Sequence, residues 1–476
     1  MLRVRLNRRL SPELYLGVVP ITEGPDGIRI GGSGPAIEYA VHMRRLPEDR
    51  MMDVLVRAGT LPEGAIGALA TRLADFHGQA ATGEEISGFG SPATIESLWK
   101  EHFDQTQRLV GRVLEPFQDA FLRATVQAWL VRKNPLLRRR ALEGRIRDGH
   151  GDLRCCSVCF IEPLQIFDCL EFSRRLRCGD VASDISFLLM DLASLCRQDL
   201  AEAFLRHYIE RTGDQELPQL VPFYGCYRAC VRAKVNALSA EDAEATAAER
   251  ARSLRDAQGL FSLACRYANE DRPPVLIVVC GLSGVGKSTV SQSLGRTLSA
   301  TVVSTDVVRK ELHGLQPTER RAAGYGEGLY APDVTRRTYA GIALRAERLL
   351  QAGKSVVLDG TFAHSWQREL AAIIAKRSGA LLLYLEITAP DSIIREHLRA
   401  RASDPSAASD ADWSIYLAQK AQWEALQLPE WTHASVCASE TPEGTTSDAL
   451  AALQRRLNWA PPCREQDAGI GHSVRS

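Results

Sequence analysis

Four residues at fixed spacing point to phosphate chemistry in the second half of this chain: Gly281, Gly286, Lys287 and Ser288 fit G-x-x-x-x-G-K-[ST]. In the run Gly281-Leu-Ser-Gly-Val-Gly-Lys-Ser-Thr289 the glycines let backbone N–H groups turn inward around a polyphosphate without a Cβ clash. A helix start behind the loop adds partial positive charge, Lys287 neutralises phosphate oxygens, and the Ser288 hydroxyl can ligate Mg2+. The candidate nucleotide contacts are therefore Gly281, Ser283, Gly284, Val285, Gly286, Lys287, Ser288 and Thr289. Two carboxylates complete the set. Asp359 follows the apolar run Val356-Val-Leu358 and suits holding Mg2+ through water; Asp306 follows Thr301–Ser304 and suits taking a proton from an acceptor hydroxyl. The competing role for each is a helix N-cap.

A second pair of carboxylates lies in the first half. Gly149-His150-Gly151-Asp152-Leu153 precedes an expected strand Val158–Ile161, a Glu162-Pro163 turn, and an expected strand Gln165–Phe167 that delivers Asp168. Two aspartates flanking one hairpin is how a phosphotransferase sets a proton-accepting carboxylate beside a metal-binding one. Farther on, Arg228 and Arg232 share one face of an expected helix and can meet a phosphate, but solvated helix charge is the expectation. Cys155, Cys156 and Cys159, with Cys226 and Cys230, invite a zinc reading; their spacing makes no C-x2-C pair of pairs, so reduced thiols are expected instead.

The elements that must position these groups divide at Asn269-Glu-Asp-Arg-Pro-Pro274, whose charge and paired prolines mark a boundary. Before it the pattern gives short strands at Tyr15–Pro20, Gly27–Ile30 and Ile37–Met43, with Gly31–Gly34 as a hairpin turn. Helical spacing follows over Leu61–Gln79 and Ile95–Arg132, with a stop at Asn134-Pro135, and resumes over residues 192–268. After the boundary, strand and helix alternate: Val275–Cys280, Thr301–Ser304, Ser355–Leu358, Leu381–Ile387 and Ala434–Cys437 are the expected strands. That alternation predicts an α/β fold with a doubly wound parallel sheet, in which ligands bind at the C-terminal strand ends, the rim shared by the phosphate loop, Asp306 and Asp359. The predicted organisation is 1–270, a mostly helical domain; 271–458, the parallel-sheet domain; and 459–476, a disordered tail.

Composition narrows the partners. Lys+Arg and Asp+Glu both number 58 in 476 residues, so no global field favours a nucleic acid or a membrane surface. No apolar run reaches the roughly 20 residues that span a bilayer, and the N-terminus is amphipathic, so a cytoplasmic protein is expected.

The runs His150-Gly-Asp-Leu, Ile166-Phe-Asp-Cys-Leu-Glu-Phe172 and Asp180-Val-Ala-Ser-Asp-Ile-Ser-Phe-Leu-Leu-Met-Asp191 resemble the aminoglycoside-phosphotransferase-like branch of the kinase fold. That resemblance implies Asp152 as base, Asp168 as Mg2+ ligand, and Asp180 and Asp184 as braces at a helix start. The chain departs from the pattern H-G-D-L-H-x-x-N, with Arg154 for the second His and Ser157 for the Asn. Ahead of Asp152 its only lysines are Lys100 and Lys133, both in expected helices. It also begins near the family's helix αC, so the expectation is a domain lacking most of the front lobe and most of its grip on ATP. The second half is similar to P-loop kinases related to gluconate, shikimate and polynucleotide 5′-hydroxyl kinases. The runs that carry this are the phosphate loop, Ser304-Thr-Asp-Val-Val-Arg-Lys310, Val357-Leu-Asp-Gly-Thr-Phe362 and Arg395-Glu-His-Leu-Arg-Ala-Arg401. The resemblance implies lid arginines among Arg395, Arg399 and Arg401, with Arg401 counted as catalytic, an Arg309 facing the acceptor, and a hinged lid connection over Ser403–Asp412. The order of the two halves is similar to bacterial fusions of these domains. It implies a kinase using ATP and Mg2+ to phosphorylate a hydroxyl on a small-molecule acceptor; the alternative is an ATP-hydrolysing switch acting on the first domain or a partner.

Overall fold

A computed structural model of the chain describes residues 1–24, 27–270, 273–316, 319, 326–402, 411–439 and 441–457. Two compact units emerge. Met1–Leu114 with Asn134–Asp271 form one, and Glu115–Lys133 with Arg272–Pro461 form the other, so a short stretch from the middle of the chain groups with the second half. The expected tail over 459–476 and the lid connection over 403–410 lie outside the described residues.

The first unit opens with an antiparallel sheet of β1 (Tyr15–Gly24), β2 (Gly27–Ile30) and β3 (Ala36–Met43) in the order β2-β1-β3, with the glycine cluster after β2 serving as the expected turn. Two short ladders follow: β4 (Ile146–Asp148) with β7 (Cys178–Asp180), and β5 (Val158–Cys159) with β6 (Gln165–Ile166), all antiparallel. The rest is helical. Leu217–Ser239 packs against both Ala247–Glu270 and Val181–Ser194, and Ala65–Gln79 packs against Gln198–Thr212. One expected stop fails: the helix Pro116–Leu142 runs straight through Pro135. Proline removes one i→i−4 hydrogen bond, but the next turn is pinned from outside the helix. Leu137 is buried, and the fully buried Arg140 makes paired bonds of 2.7–2.9 Å to Asp180 and to Asp214. Tertiary anchoring of that turn outweighs the local break. The single helix expected over Ile95–Arg132 is likewise two, Pro92–Thr106 and Pro116–Leu142, parted by a turn at Gly111.

The second unit is a five-stranded sheet of β8 (Val275–Cys280), β9 (Thr301–Ser304), β10 (Val356–Asp359), β11 (Leu381–Thr388) and β12 (His433–Cys437) in the order β12-β11-β8-β10-β9. Every pairing is parallel. All six residues of β8 are buried, as an unbroken aliphatic run in the middle of such a sheet requires. Helices Pro332–Gln351 and Ser365–Ser378 close over a core containing Leu276, Val278, Leu358, Tyr339, Ile342, Ala371 and Tyr384. Helices Lys287–Thr297 and Pro442–Leu457 pack against one another. From β8 the chain crosses to β9, returns to β10 beside β8, then passes to β11 on the other flank. That reversal opens a crevice above the carboxyl end of β8, where this topology places ligands.

Candidate active site

The phosphate loop sits at that crevice because β8 ends at Cys280 and the helix Lys287–Thr297 begins seven residues later. Gly281 has φ 139° and a Cβ there would lie 2.3 Å from the Ile387 carbonyl oxygen, so neither the backbone conformation nor the space admits a side chain. Gly284, at φ 88°, is crowded in the same way by Ile394 and Leu398. The loop is stitched to the chain leaving β10: Gly281 N–H donates to Thr361 O at 3.2 Å, and Gly360 N–H donates to Val279 O at 3.3 Å. Three further polar groups of the loop have partners. Ser283 N–H donates to Gln419 Oε1 (3.0 Å), Lys287 Nζ donates to Leu282 O (2.7 Å), and His397 Nδ1 donates to Gly284 O (2.9 Å).

The structure brings the sequence-predicted carboxylates of this half together with the loop. The Ser288 hydroxyl donates to Asp359 Oδ2 at 2.9 Å, and Asp359, the last residue of β10, is only 5% exposed. Burial pushes the Asp359 carboxyl above the usual range, with Lys287 and Ser288 opposing that shift. Asp306 stands in the first turn of the helix Thr305–Glu311 and accepts from Arg309 Nη1 at 2.6 Å. Ser283, Gly284, Gly286, Lys287, Ser288, Asp306, Arg309 and Asp359 all border one cavity of about 450 Å3.

Several residues of that cavity went unread in the sequence: Tyr330, Arg336, His364, Trp366, Gln419 and Gln422. A signal existed for two of them. His364 and Trp366 lie just beyond Asp359-Gly-Thr-Phe362, and a loop leaving the carboxyl end of a central parallel strand has to surface on the ligand rim. The loop is shaped by Phe362 at φ 48°, whose carbonyl accepts from buried Arg368 at 2.8 Å. His364 Nδ1 lies 3.0 Å from Glu424, whose carboxylate is held down to about 2 by the Ser365 N–H and by His364. Of the arginines considered for a lid, Arg395 lies over the Trp413 ring at 4.2 Å and Arg399 is exposed, and neither borders the cavity; the Arg401 side chain is outside the described residues.

In the first unit the two aspartates meet different surroundings. Asp152 is paired with Arg154 at 3.2 Å, and Asp168, at φ 64°, with Arg3 at 2.7 Å. Tyr15 OH accepts the Asp168 N–H at 3.1 Å. Beneath them Asp184 accepts the N–H groups of His150 (2.6 Å) and Gly151 (2.8 Å) and lies 3.1 Å from His77 Nε2. Burial alone would push the Asp184 carboxyl up, but His77 and the His150 N–H hold it well below the usual carboxylate range. Asp180 caps the helix Val181–Ser194 and pairs with Arg140. The structure corrects the reading of Arg228 as solvated charge: it is buried, donates to Gly151 O (3.1 Å) and Ser183 O (3.2 Å), and covers the Phe187 ring. Cys155, Cys159, Cys226 and Cys230 are buried free thiols, and among the described residues no group of three His, Cys, Asp or Glu is placed to hold a metal.

Residues 276–426 match the family model of an AAA domain. A gluconokinase from Sinorhizobium meliloti 1021 is 21% identical, with 39% of this chain and 95% of that one covered and a TM-score of 0.29. The APS kinase CysC of Mycobacterium tuberculosis, in complex with AMPPNP and APS, is 15% identical, with 38% and 99% covered and a TM-score of 0.28. Among the described residues no helix is long and apolar enough to cross a membrane. The uncharacterized protein Rv2004c of Mycobacterium tuberculosis H37Rv is 30% identical over 421 residues, 88% of this chain and 81% of its own length, and this chain belongs to the same family.

Proposed function

We propose that the second unit is an ATP- and Mg2+-dependent phosphotransferase that moves the γ-phosphoryl group to a hydroxyl of a small-molecule acceptor. The observation that carries this reading is the sharing of one cavity by the phosphate loop, the Ser288–Asp359 contact and Asp306. A P-loop that only hydrolysed ATP as a switch would need no second carboxylate beside its phosphate site.

The donor set suits magnesium. Asp359 is a buried carboxylate whose hydrogen-bond partner Ser288 is a hydroxyl, and its charge is disfavoured until a cation arrives. Ser288 and Asp359 are the residues that would hold the ion, and bound magnesium neutralises charge on the transferring phosphoryl group. The chain's own residues do the rest. Backbone N–H groups of residues 283–288 orient the phosphates, and Lys287, released from Leu282 O, follows the charge that develops on the β/γ oxygens. Asp306 accepts the acceptor's proton while Arg309 fixes the carboxylate's orientation. The test is incubation of purified protein with γ-labelled ATP against sugar, sugar-acid, nucleoside and aminoglycoside pools. A labelled product supports the reading; ATP binding and turnover with every pool unlabelled overturns it in favour of the switch.

We further propose that the first unit transfers no phosphate. Support comes from Asp152 and Asp168, each already neutralised by an arginine, which leaves little charge to attract a metal.

A further inference from the structure

We propose that the chain pairs with a second copy of itself through the open edge of β3, antiparallel, with the two-fold axis at Ala40. Among the described residues the first sheet ends on β3, whose far side meets no strand. The two edges of that sheet are not alike. β2 is four residues long and carries Arg29, whereas β3 runs Ala36–Met43 with neither lysine nor proline, the residues that usually blunt an edge. The register shows which β3 groups face outward. Pro20 lies opposite Tyr39 and has no N–H, and its carbonyl accepts the Gly31 N–H at 2.8 Å, on the β2 side. Tyr39 therefore turns its N–H and C=O to the open edge, and in an antiparallel ladder every second residue does so, which adds Val41. The Tyr39 N–H is caught by the carboxylate of its own neighbour Glu38 at 2.9 Å, a stand-in for a strand partner.

The side chains of this edge complement their own reversal. β3 is bulged between Ala36 and Glu38, so its regular stretch is Glu38–His42, and only an axis at Ala40 keeps all of that stretch paired. Tyr39 of one copy then exchanges both backbone bonds with Val41 of the other, and symmetry repeats the exchange. Glu38 comes to lie opposite His42, a carboxylate facing an imidazole, and each Tyr39–Val41 pair sets an aromatic ring beside a β-branched chain. Tyr39 is 65% exposed in the single chain, so the pairing covers apolar surface as well as backbone. The strand that matches Glu38–His42 when run backwards is this strand itself, which makes a second copy the fitting occupant and the contact isologous.

The test uses the full chain. Sedimentation velocity at loading concentrations from about 1 to 100 µM, the range of a small interface, should show monomer passing to dimer. Tyr39→Pro, at an exposed edge position where proline is tolerated, should leave the circular-dichroism melt near that of wild type and move dimer formation to roughly tenfold higher concentration or beyond. Ala40→Cys gives an independent readout, because it sets two thiols at a non-hydrogen-bonded pair, where Cα atoms about 4.5 Å apart suit a disulfide. Mild oxidation should turn Ala40→Cys into a covalent dimer, and do so far less for wild type or for Glu38→Cys, whose position does not meet its own copy. If the proline variant melts early, the cysteine pair decides alone. A monomer throughout that concentration range, a dimer untouched by a folded Tyr39→Pro, or Glu38→Cys cross-linking as readily as Ala40→Cys would each overturn the proposal. A monomer with slow amide exchange at Tyr39 and Val41 would overturn it as well, by giving the edge to another segment of this chain.

Discussion

Asp359 ends a buried strand with a hydroxyl for its partner, while Asp168 stands half exposed with Arg3 at 2.7 Å, and that contrast separates the two units. Both units present a carboxylate pair at or just beyond strand ends. In the second, the pair borders a cavity together with Lys287 and the glycine loop, and burial raises the Asp359 carboxyl, so its charged form is disfavoured there. In the first, each carboxylate is paired with an arginine of this chain. A carboxylate pair in sequence is thus a capacity; its setting decides whether that capacity is spent within the fold or kept for a ligand.

The strongest way to break the comparison is Asp306→Asn. The change keeps size and hydrogen bonding but removes the base, so ATP binding should persist while transfer to the acceptor falls by roughly 10²–10⁴. An unchanged rate in a rapid-quench assay would strip Asp306 of that role. Next is Lys287→Ala, which should lower nucleotide affinity by about 10²-fold, or about 2.7 kcal/mol, by titration calorimetry. Wild-type affinity in that variant would mean the loop is not a phosphate cradle.

The first unit has its own decisive residue. Asp184→Asn aims an amide N–H2 at backbone N–H groups that now meet carboxylate oxygens, and should cost about 2–3 kcal/mol in chemical denaturation. The pH dependence follows from the depressed carboxyl. A group whose folded pKa lies below its unfolded value stabilises the protein above the unfolded carboxylate range and loses that contribution as pH falls toward the folded value. Asp184→Asn should therefore flatten the acid limb of a stability-against-pH curve; an unaltered limb would contradict the assignment.

Asp359 should behave in the opposite sense. Its folded pKa is raised, so the contribution is favourable below the unfolded value and lost as pH climbs through the folded one, which leaves a cost at neutral pH. Asp359→Asn should raise the ligand-free Tm by roughly 2–4 °C, on the order of 1 kcal/mol for a unit of this size, while abolishing any further Mg2+-dependent rise. A lowered Tm would show that the Ser288 bond outweighs the buried charge. The smallest effect belongs to Asp168→Asn, an exposed ion pair worth at most about 1 kcal/mol. It should leave ATP binding and transfer by the full chain unchanged, and a loss of either would restore catalysis to the first unit.

The second unit was nearly transparent in the sequence because its signals are local. A buried aliphatic run, a glycine turn and a helix start specify β8 and its loop, and each strand-end carboxylate follows from one more run of the same kind. What stayed hidden depends on distant packing. Nothing near Pro135 says that its helix survives, because Arg140 is held by Asp180 and Asp214, tens of residues away. Arg3 gives no local sign of seeking Asp168. Arg336 and Gln419 sit on helices whose periodicity marks their buried faces and is silent about which polar residues turn toward a cavity.

One consequence concerns the timing of nucleotide exchange. The Ser283 N–H, the Lys287 ammonium and the Gly284 carbonyl already have partners in Gln419, Leu282 and His397. An entering phosphate that uses the first two must displace incumbents, and a departing one leaves groups that are immediately re-engaged. On the phosphotransferase reading proposed above, such a loop trades residence time for turnover, because re-engagement from within raises the nucleotide's off-rate at the expense of its affinity. Replacing Gln419 with methionine, similar in length but a poor acceptor, would remove one incumbent and lengthen the stay of ADP.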